Sequence, residues 1–427
     1  MPTRFQKLCE LLERLSATTG KKQMVGMVAS FISSLEEGEL SCACYFIVGD
    51  ISARWDQRTL DVSFGTIVKV LRDVAQCQLR EIFEVLKEIG DLGETTRRVL
   101  EAKKSETRPL VEPPPLTIEG VYKTFQEIME VKGEGSRSVK EKLYRGLISR
   151  ATPLEAKYIV KLTVGERRYG FGENLMEESI SLAFNVPLEL VRRANMVLND
   201  IGEVAVIAKK RGTEGLRNVK LTIFHPIKPM LAETASTVKE AAESFKRGFA
   251  IEYKLDGARV QIHKKESEVR IYSRHLRDVT DSLPEVVREV RSEVRASEVV
   301  LEGEVIAVGD GGRPLPFQYL MRRFRRVKGV AEYAGRIGVR LYLFDILSVD
   351  GKVVIDEPYA KRRELLRNVA GGINLVPALI NPSLEEAEAF YKRAIEQGHE
   401  GVMVKDLQAP YTPGIRGRKW LKISNTS

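Results

Sequence analysis

Glu252-Tyr253-Lys254-Leu255-Asp256-Gly257-Ala258-Arg259 sets one lysine between two carboxylates, just ahead of a glycine turn. Strand alternation puts Ile251, Tyr253 and Leu255 on one face and Glu252, Lys254 and Asp256 on the other. A lysine amine with a depressed pKa is a covalent nucleophile, and the phosphoramidate it forms with an α-phosphate is labile enough to break again. Glu252 and Asp256 would raise that pKa, so this chemistry needs a cation to counter them, a divalent metal with neighbouring Arg and Lys side chains. Taken alone, K-x-D-G is a short pattern that a solvated ion pair also explains.

Further segments of the same kind follow. Ser273-Arg274 closes VRIYS, Glu302 and Glu304 lie in VVLEGEVIAV, Phe344 in LYLFDIL, Glu400-Gly401 with Lys405 in EGVMVK, and Lys419 and Lys422 flank WLKI. Glu302 and Glu304 share a strand face, and two acids so placed repel unless a cation lies between them, as Mg2+ bridging to phosphate oxygens would. Alternation puts Phe344 on one face with Arg340 and Tyr342, a mixed face that suits a lined pocket better than a deep core. The basic run Met321-Arg322-Arg323-Phe324-Arg325-Arg326-Val327-Lys328 has an aromatic inside it, and reads as a solvated face or a surface turned to nucleic acid.

Two kinds of element must carry these residues. To about Arg217 the apolar residues recur at helical spacing. Leu71, Val74, Ala75, Leu79, Ile82, Phe83 and Leu86 fall on one face, and Val139, Leu143, Leu147 and Ile148 on another. Pro109 and then Pro113, Pro114 and Pro115 are expected to divide this half into two helical lobes. From about Asn218 the period shifts toward two, with helices predicted around 285–294 and 384–396.

With 427 residues, 43% hydrophobic and 30% charged, the chain has the balance of a soluble protein of two or three domains, and no run reaches the length of a membrane span. Its 68 Lys and Arg against 59 Asp and Glu give +9, which favours a polyanionic partner. Cys9, Cys42, Cys44 and Cys77 have no histidine near them in sequence and support neither a zinc site nor a disulfide framework. A cytoplasmic location is expected.

Taken in order, the segments from Glu252 to Lys422 resemble the nucleotidyltransferase motifs of ATP-dependent DNA ligases. His225-Pro226-Ile227-Lys228-Pro229-Met230-Leu231-Ala232 is similar to the entry of the ligase adenylation domain. Gly133-Glu134-Gly135-Ser136-Arg137, Thr152-Pro153-Leu154-Glu155-Ala156-Lys157-Tyr158 and Arg167-Arg168-Tyr169-Gly170 resemble the helical DNA-binding domain of archaeal and eukaryotic replicative ligases. The resemblance implies a multidomain fold. An all-α N-terminal DNA-binding domain (1–216) precedes an α+β nucleotidyltransferase (adenylation) domain of antiparallel sheets (217–427), with the family's OB-fold domain absent after WLKI and adenylation impaired for want of it.

By the same resemblance, Lys254 would carry AMP and Glu252 would read the adenine amino group. Arg259 and Arg274 would hold ribose and phosphate, Phe344 would stack on the base, and Lys405 and Lys422 would neutralise the α-phosphate, with Arg416 a further nucleotide contact. Glu304 is the match for the ribose or metal carboxylate, with Glu302 left open as the true partner, and Glu400 is the second metal candidate. Gly133, Gly135, Ser136 and Arg137 at a helix start, or a plain cap by Ser136, together with Arg167, Arg168, Arg322 and Arg323, would meet DNA. ATP and Mg2+ are the implied cofactors and nicked duplex DNA the partner of a monomer, with room for a sliding clamp. RNA ligases and capping guanylyltransferases share the lysine chemistry but not the helical N-terminal half. A non-catalytic nick-binding fragment is the alternative of a different class.

Overall fold

Phe5, Leu8, Leu11, Leu12 and Leu15 recur every three or four residues, and all are buried on one side of the first helix. The structure is a computed structural model that describes residues 1–104, 111–166, 170–324 and 337–425. Its contacts gather into two compact units, Met1–Asn195 with Asp200–Val219, and Met196–Asn199 with the chain from Lys220 onward.

The first unit is helical: α1 (Phe5–Ser16), α2 (Lys21–Ser33), α3 (Glu37–Ile47), α4 (Phe64–Ala75), α5 (Leu79–Ile89), α6 (Leu92–Lys104), α7 (Ile118–Glu130), α8 (Ser136–Arg150), α9 (Pro153–Val164), α10 (Glu173–Phe184), α11 (Leu188–Leu198) and α12 (Ile201–Arg217). Local signals start several of them. Thr152 and Glu155 form a reciprocal capping box ahead of Pro153, and Ser63 and Thr117 cap α4 and α7.

Three expectations about this unit fail. The stripe from Leu71 to Leu86 is broken, because Gln76 turns left-handed and ends α4, and of α5 only Ile82 is buried while Phe83 is 47% exposed. In α8 Leu147 and Ile148 are buried as expected, but Lys140 and Tyr144 complete that face while Val139 is exposed and Leu143 only half-buried. Lys140 reaches inward because its ammonium donates to Leu60 O at 2.9 Å. The proline segment does not separate two lobes. Phe5 N donates to Leu116 O and Ile118 N to Thr3 O, and Lys157 of α9 pairs with Glu13 of α1 at 2.6 Å, so chain from both sides of the prolines builds one body. Cys9, Cys42 and Cys44 are buried as free thiols in that body.

In the second unit β1 (Leu231–Thr234), α13 (Val238–Ser244), β2 (Phe249–Lys254), β3 (Ala258–Lys265), β4 (Glu268–Ser273), α14 (Pro284–Glu293), β5 (Glu298–Val308), α15 (Phe317–Phe324), β6 (Gly338–Val349), β7 (Lys352–Val353), α16 (Tyr359–Val369), β8 (Asn374–Leu375), β9 (Ala378–Ile380), α17 (Leu384–Glu396), β10 (Gly401–Asp406) and β11 (Arg416–Ser424) follow in order. They form two sheets, β1-β11-β10-β2-β9 and β4-β3-β5-β6-β7, antiparallel except where β1 runs parallel to β11 and β8 to β6. Ile262, Leu301, Leu341, Leu343 and Ile346 of the second sheet, with Val286, Val290 and Leu366 of α14 and α16, make its core. Each such side chain contributes about 1.5–3 kcal/mol by leaving water.

The chain crosses from one sheet to the other at Gly257. A Cβ there would stand 2.2 Å from Val305 O, so only glycine lets β2 turn into β3 this close to β5.

Candidate active site

Directly opposed residues of antiparallel strands share a face, which makes the register of β10 informative. Lys254 lies opposite Gly401, Glu252 opposite Met403 opposite Lys422, and Ala250 opposite Lys405 opposite Trp420. Lys254, Glu252, Lys405, Trp420 and Lys422 therefore point one way. From the other sheet, Arg259 lies opposite Glu304. Phe344 has no opposite residue, because the register slips between the Gly303–Leu343 and Glu302–Asp345 pairs. Such a bulge re-aims a side chain.

These side chains meet in a cavity of about 750 Å3, whose lining includes Glu252, Lys254, Arg259, Arg274, Glu304, Phe344, Glu400, Lys405, Arg416 and Lys422. That is the size and mixed polarity of a small-molecule site.

The inner end is built on Glu252, which is 1% exposed. Its Oε1 accepts from Lys405 at 2.8 Å, and its Oε2 accepts from Arg363 at 2.9 Å and from the Tyr359 hydroxyl. Burial would push this carboxyl up, but Lys405 and Arg363 outweigh it and hold it below the usual carboxylate range. The Lys405 ammonium lies 4.3 Å from the centre of the Phe344 ring and 4.2 Å from that of Trp420, and burial lowers its pKa. Lys405 thus meets a carboxylate and two rings at the inner end of the cavity.

The outer end carries a lysine–glutamate pair. Lys254 Nζ is ion-paired with Glu400, and Glu400 N donates to Lys254 O at 3.0 Å. Neither sequence neighbour serves Lys254, since Glu252 is taken inward and Asp256 accepts from Phe317 N at 3.3 Å. Arg259 grips Glu302 with two N–H groups at 2.7 and 3.0 Å and gives a third to Met230 O at 2.6 Å. Glu302 is sealed behind that pair, whereas Glu304 faces the cavity. Burial, with Glu400 and Glu302 adding and Arg259 and Lys254 opposing, pushes the Glu304 carboxyl up to about 8.

Arg274 follows β4 at the exposed rim, and Arg416 donates to Ala232 O at 2.7 Å. Lys419 turns away and meets Asp406 at 3.5 Å. Sequence reasoning missed Tyr359, Arg363, Met403 and Trp420. The spacing of Tyr359 and Arg363, one helical turn apart in EPYAKRRELL, was the available signal.

The nucleic-acid candidates divide. Gly133 (φ 92°) and Gly135 (φ 79°) take left-handed backbone, and Gly135, not Ser136, stands at the cap of α8 with no side-chain cap bond. Gly133, Gly135 and Arg137 are exposed there and Ser136 is half-buried. Arg322 is exposed with its guanidinium over the Tyr319 ring. Arg323 corrects the expectation of a DNA-facing run. It is 1% exposed, pairs with Glu285 and donates to Ser282 O at 2.8 Å, because it shares the inward face of α15 with Leu320. Arg167, Arg168, Arg325, Arg326 and Lys328 lie outside the described residues, as does Pro109.

Residues 229–424 match the family described as ATP dependent DNA ligase domain, and residues 4–181 the family described as DNA ligase N terminus. The DNA ligase of Thermococcus onnurineus is 42% identical over 426 residues, which is 99% of this chain and 75% of the relative. The DNA ligase of Archaeoglobus fulgidus is 41% identical over 423 residues, 98% of this chain and 74% of the relative. The solved structure described as Pmar-Lig_Pre matches at a TM-score of 0.51 over 98% of this chain and 78% of its own, at 17% identity, a likeness of fold alone. On the two family matches and the identity along nearly its whole length, this chain belongs to the ATP-dependent DNA ligases.

Proposed function

We propose that Lys254 takes AMP from ATP, that the AMP passes to the 5′-phosphate of a nick in duplex DNA, and that the nick's 3′-hydroxyl then displaces it. The observation that carries this is the Lys254–Glu400 pair at the outer end of a cavity whose inner end is a carboxylate, a lysine and two rings. Lys254 Nζ would form its bond to the α-phosphorus as the bond to pyrophosphate breaks. The Nζ proton has Glu400, already hydrogen-bonded to it, as acceptor. The base would stack on Phe344, with Glu252 at its edge.

Glu304 and Glu400 fit a divalent cation. Both present hard oxygen donors to the same cavity, and Glu304 keeps a proton that a cation would replace. Among the described residues no cluster of three or more His, Cys, Asp or Glu side chains forms, so phosphate oxygens and water would complete the shell, the habit of Mg2+. Bound there, the ion would neutralise charge building on the phosphates.

For DNA, the start of α8 in the first unit, with Gly133, Gly135, Ser136 and Arg137 and no side-chain cap, suits a backbone phosphate, and exposed Arg322 of the second unit is a separate phosphate candidate. The test is sealing of a 5′-labelled nicked duplex with ATP and Mg2+. A joined strand is expected, and tight nick binding without joining would overturn the catalytic half of this reading.

A further inference from the structure

Both oxygens of Glu252 are engaged before any nucleotide arrives. A carboxylate oxygen accepts about two hydrogen bonds. Oε2 already takes two, from Tyr359 and Arg363, and Oε1 takes one, from Lys405. One acceptor position remains, on Oε1.

Tyr359 and Arg363 lie one turn apart on α16 and also bond each other, Arg363 Nη1 donating to the Tyr359 hydroxyl at 3.2 Å. The neighbouring Arg362 anchors that helix to the second sheet through a fully buried pair with Asp345, the residue after Phe344, at 2.8 and 3.1 Å. The helix therefore ties the carboxylate of one sheet to the ring-bearing strand of the other. Arg363 leaves its Nε buried without a hydrogen-bond partner while Nη1 meets both Glu252 and Tyr359.

We propose that Tyr359 and Arg363 are positioning residues that fix the Glu252 carboxylate and so set the cavity's preference for a 6-amino over a 6-oxo purine. The proposal rests on the reading that Glu252 meets the base edge. With Oε2 saturated, the carboxylate cannot rotate, and Oε1 presents a pure acceptor. An exocyclic amino group donates to it, whereas a carbonyl at the same place sets two acceptors together. A site built to bond such a group rejects an analogue lacking it more strongly than shape alone does. Freed from Tyr359 and Arg363, the carboxylate would follow Lys405 and lose that direction.

Calorimetric binding of ATP, GTP and inorganic tripolyphosphate to the full chain without divalent metal tests this, since no transfer then competes. Tyr359→Phe and Arg363→Met are expected to reduce the ATP-to-GTP affinity ratio about tenfold while tripolyphosphate binding holds, and Arg363→Lys to keep most of the ratio. Glu252→Gln is expected to reduce it at least as far. An unchanged ratio in Tyr359→Phe and Arg363→Met, beside a reduced one in Glu252→Gln, overturns the positioning role alone. An unchanged ratio in Glu252→Gln overturns the base-edge reading and the proposal with it. Tyr359→Phe keeps the ring, so its thermal unfolding separates a lost hydroxyl from a lost fold.

Discussion

The ammonium of Lys254 is held by Glu400, the residue that leads into β10, and by neither of the carboxylates beside it in sequence. One side chain is thus both the partner of the proposed nucleophile and a candidate cation ligand. Glu400→Gln keeps the shape and removes the charge. Single-turnover adenylation should slow on the order of 100-fold, and a rate equal to the parent's would remove Glu400 from the step.

Glu304 makes a pH prediction. Its folded pKa of about 8 lies above the ordinary 4.5, so the folded protein keeps a proton that the unfolded chain sheds across that window. Its contribution to stability falls as pH rises from about 4.5 to 8 and is flat beyond. A divalent cation must displace the same proton, so Mn2+ affinity should rise with pH below 8 and level above it. Glu304→Gln should bind Mn2+ weakly with no such slope. Calorimetric titration on both sides of pH 8 checks this.

His263 acts in the opposite direction. Its Nδ1 accepts from Phe224 N at 2.9 Å, and burial, with His225 adding, lowers its pKa from 6.5 to about 3. A group depressed in the fold contributes stability that is fully present above 6.5 and lost as pH falls toward 3. The loss approaches about 1.4 kcal/mol per pH unit within that window. Urea unfolding of the parent and of His263→Asn should diverge near neutrality and converge in acid.

Arg322 and Arg323 are adjacent in sequence and opposite in consequence. Arg323→Ala removes the buried partner of half-buried Glu285 and of Ser282 O and should cost about 1.5–3 kcal/mol in denaturant unfolding. Arg322→Ala should leave stability within about 0.5 kcal/mol and reduce the salt dependence of duplex binding by about one phosphate contact. Equal effects on stability would contradict the burial of one and the exposure of the other.

What was legible in the sequence followed chain distance. Lys254, Gly257 and Arg259 sit within one strand-turn-strand, where alternation and a glycine suffice, and α17 begins where Ser383 and Glu386 form their capping box. Glu252 was legible as a carboxylate but not by its partners, since Tyr359 and Arg363 lie 107 and 111 residues away. Alternation was enough for Phe344, which faces the cavity while Leu341 and Leu343 go to the core, but not beyond it, where the strand slips register before Ile346. Apolar spacing ran through Gln76 because only its left-handed backbone ends the helix, and periodicity carries no sign of that. A basic run reads as surface by composition, yet Arg323 falls three residues after buried Leu320 and goes inward with it.

The central claim is that the Lys254 amine becomes the carrier of AMP. The direct measurement is intact-mass and peptide-mass analysis of the full chain after incubation with ATP and Mg2+. One AMP on the peptide bearing Lys254, absent from Lys254→Ala, is the result expected. An adduct on another side chain, or one that persists in Lys254→Ala, would contradict the account.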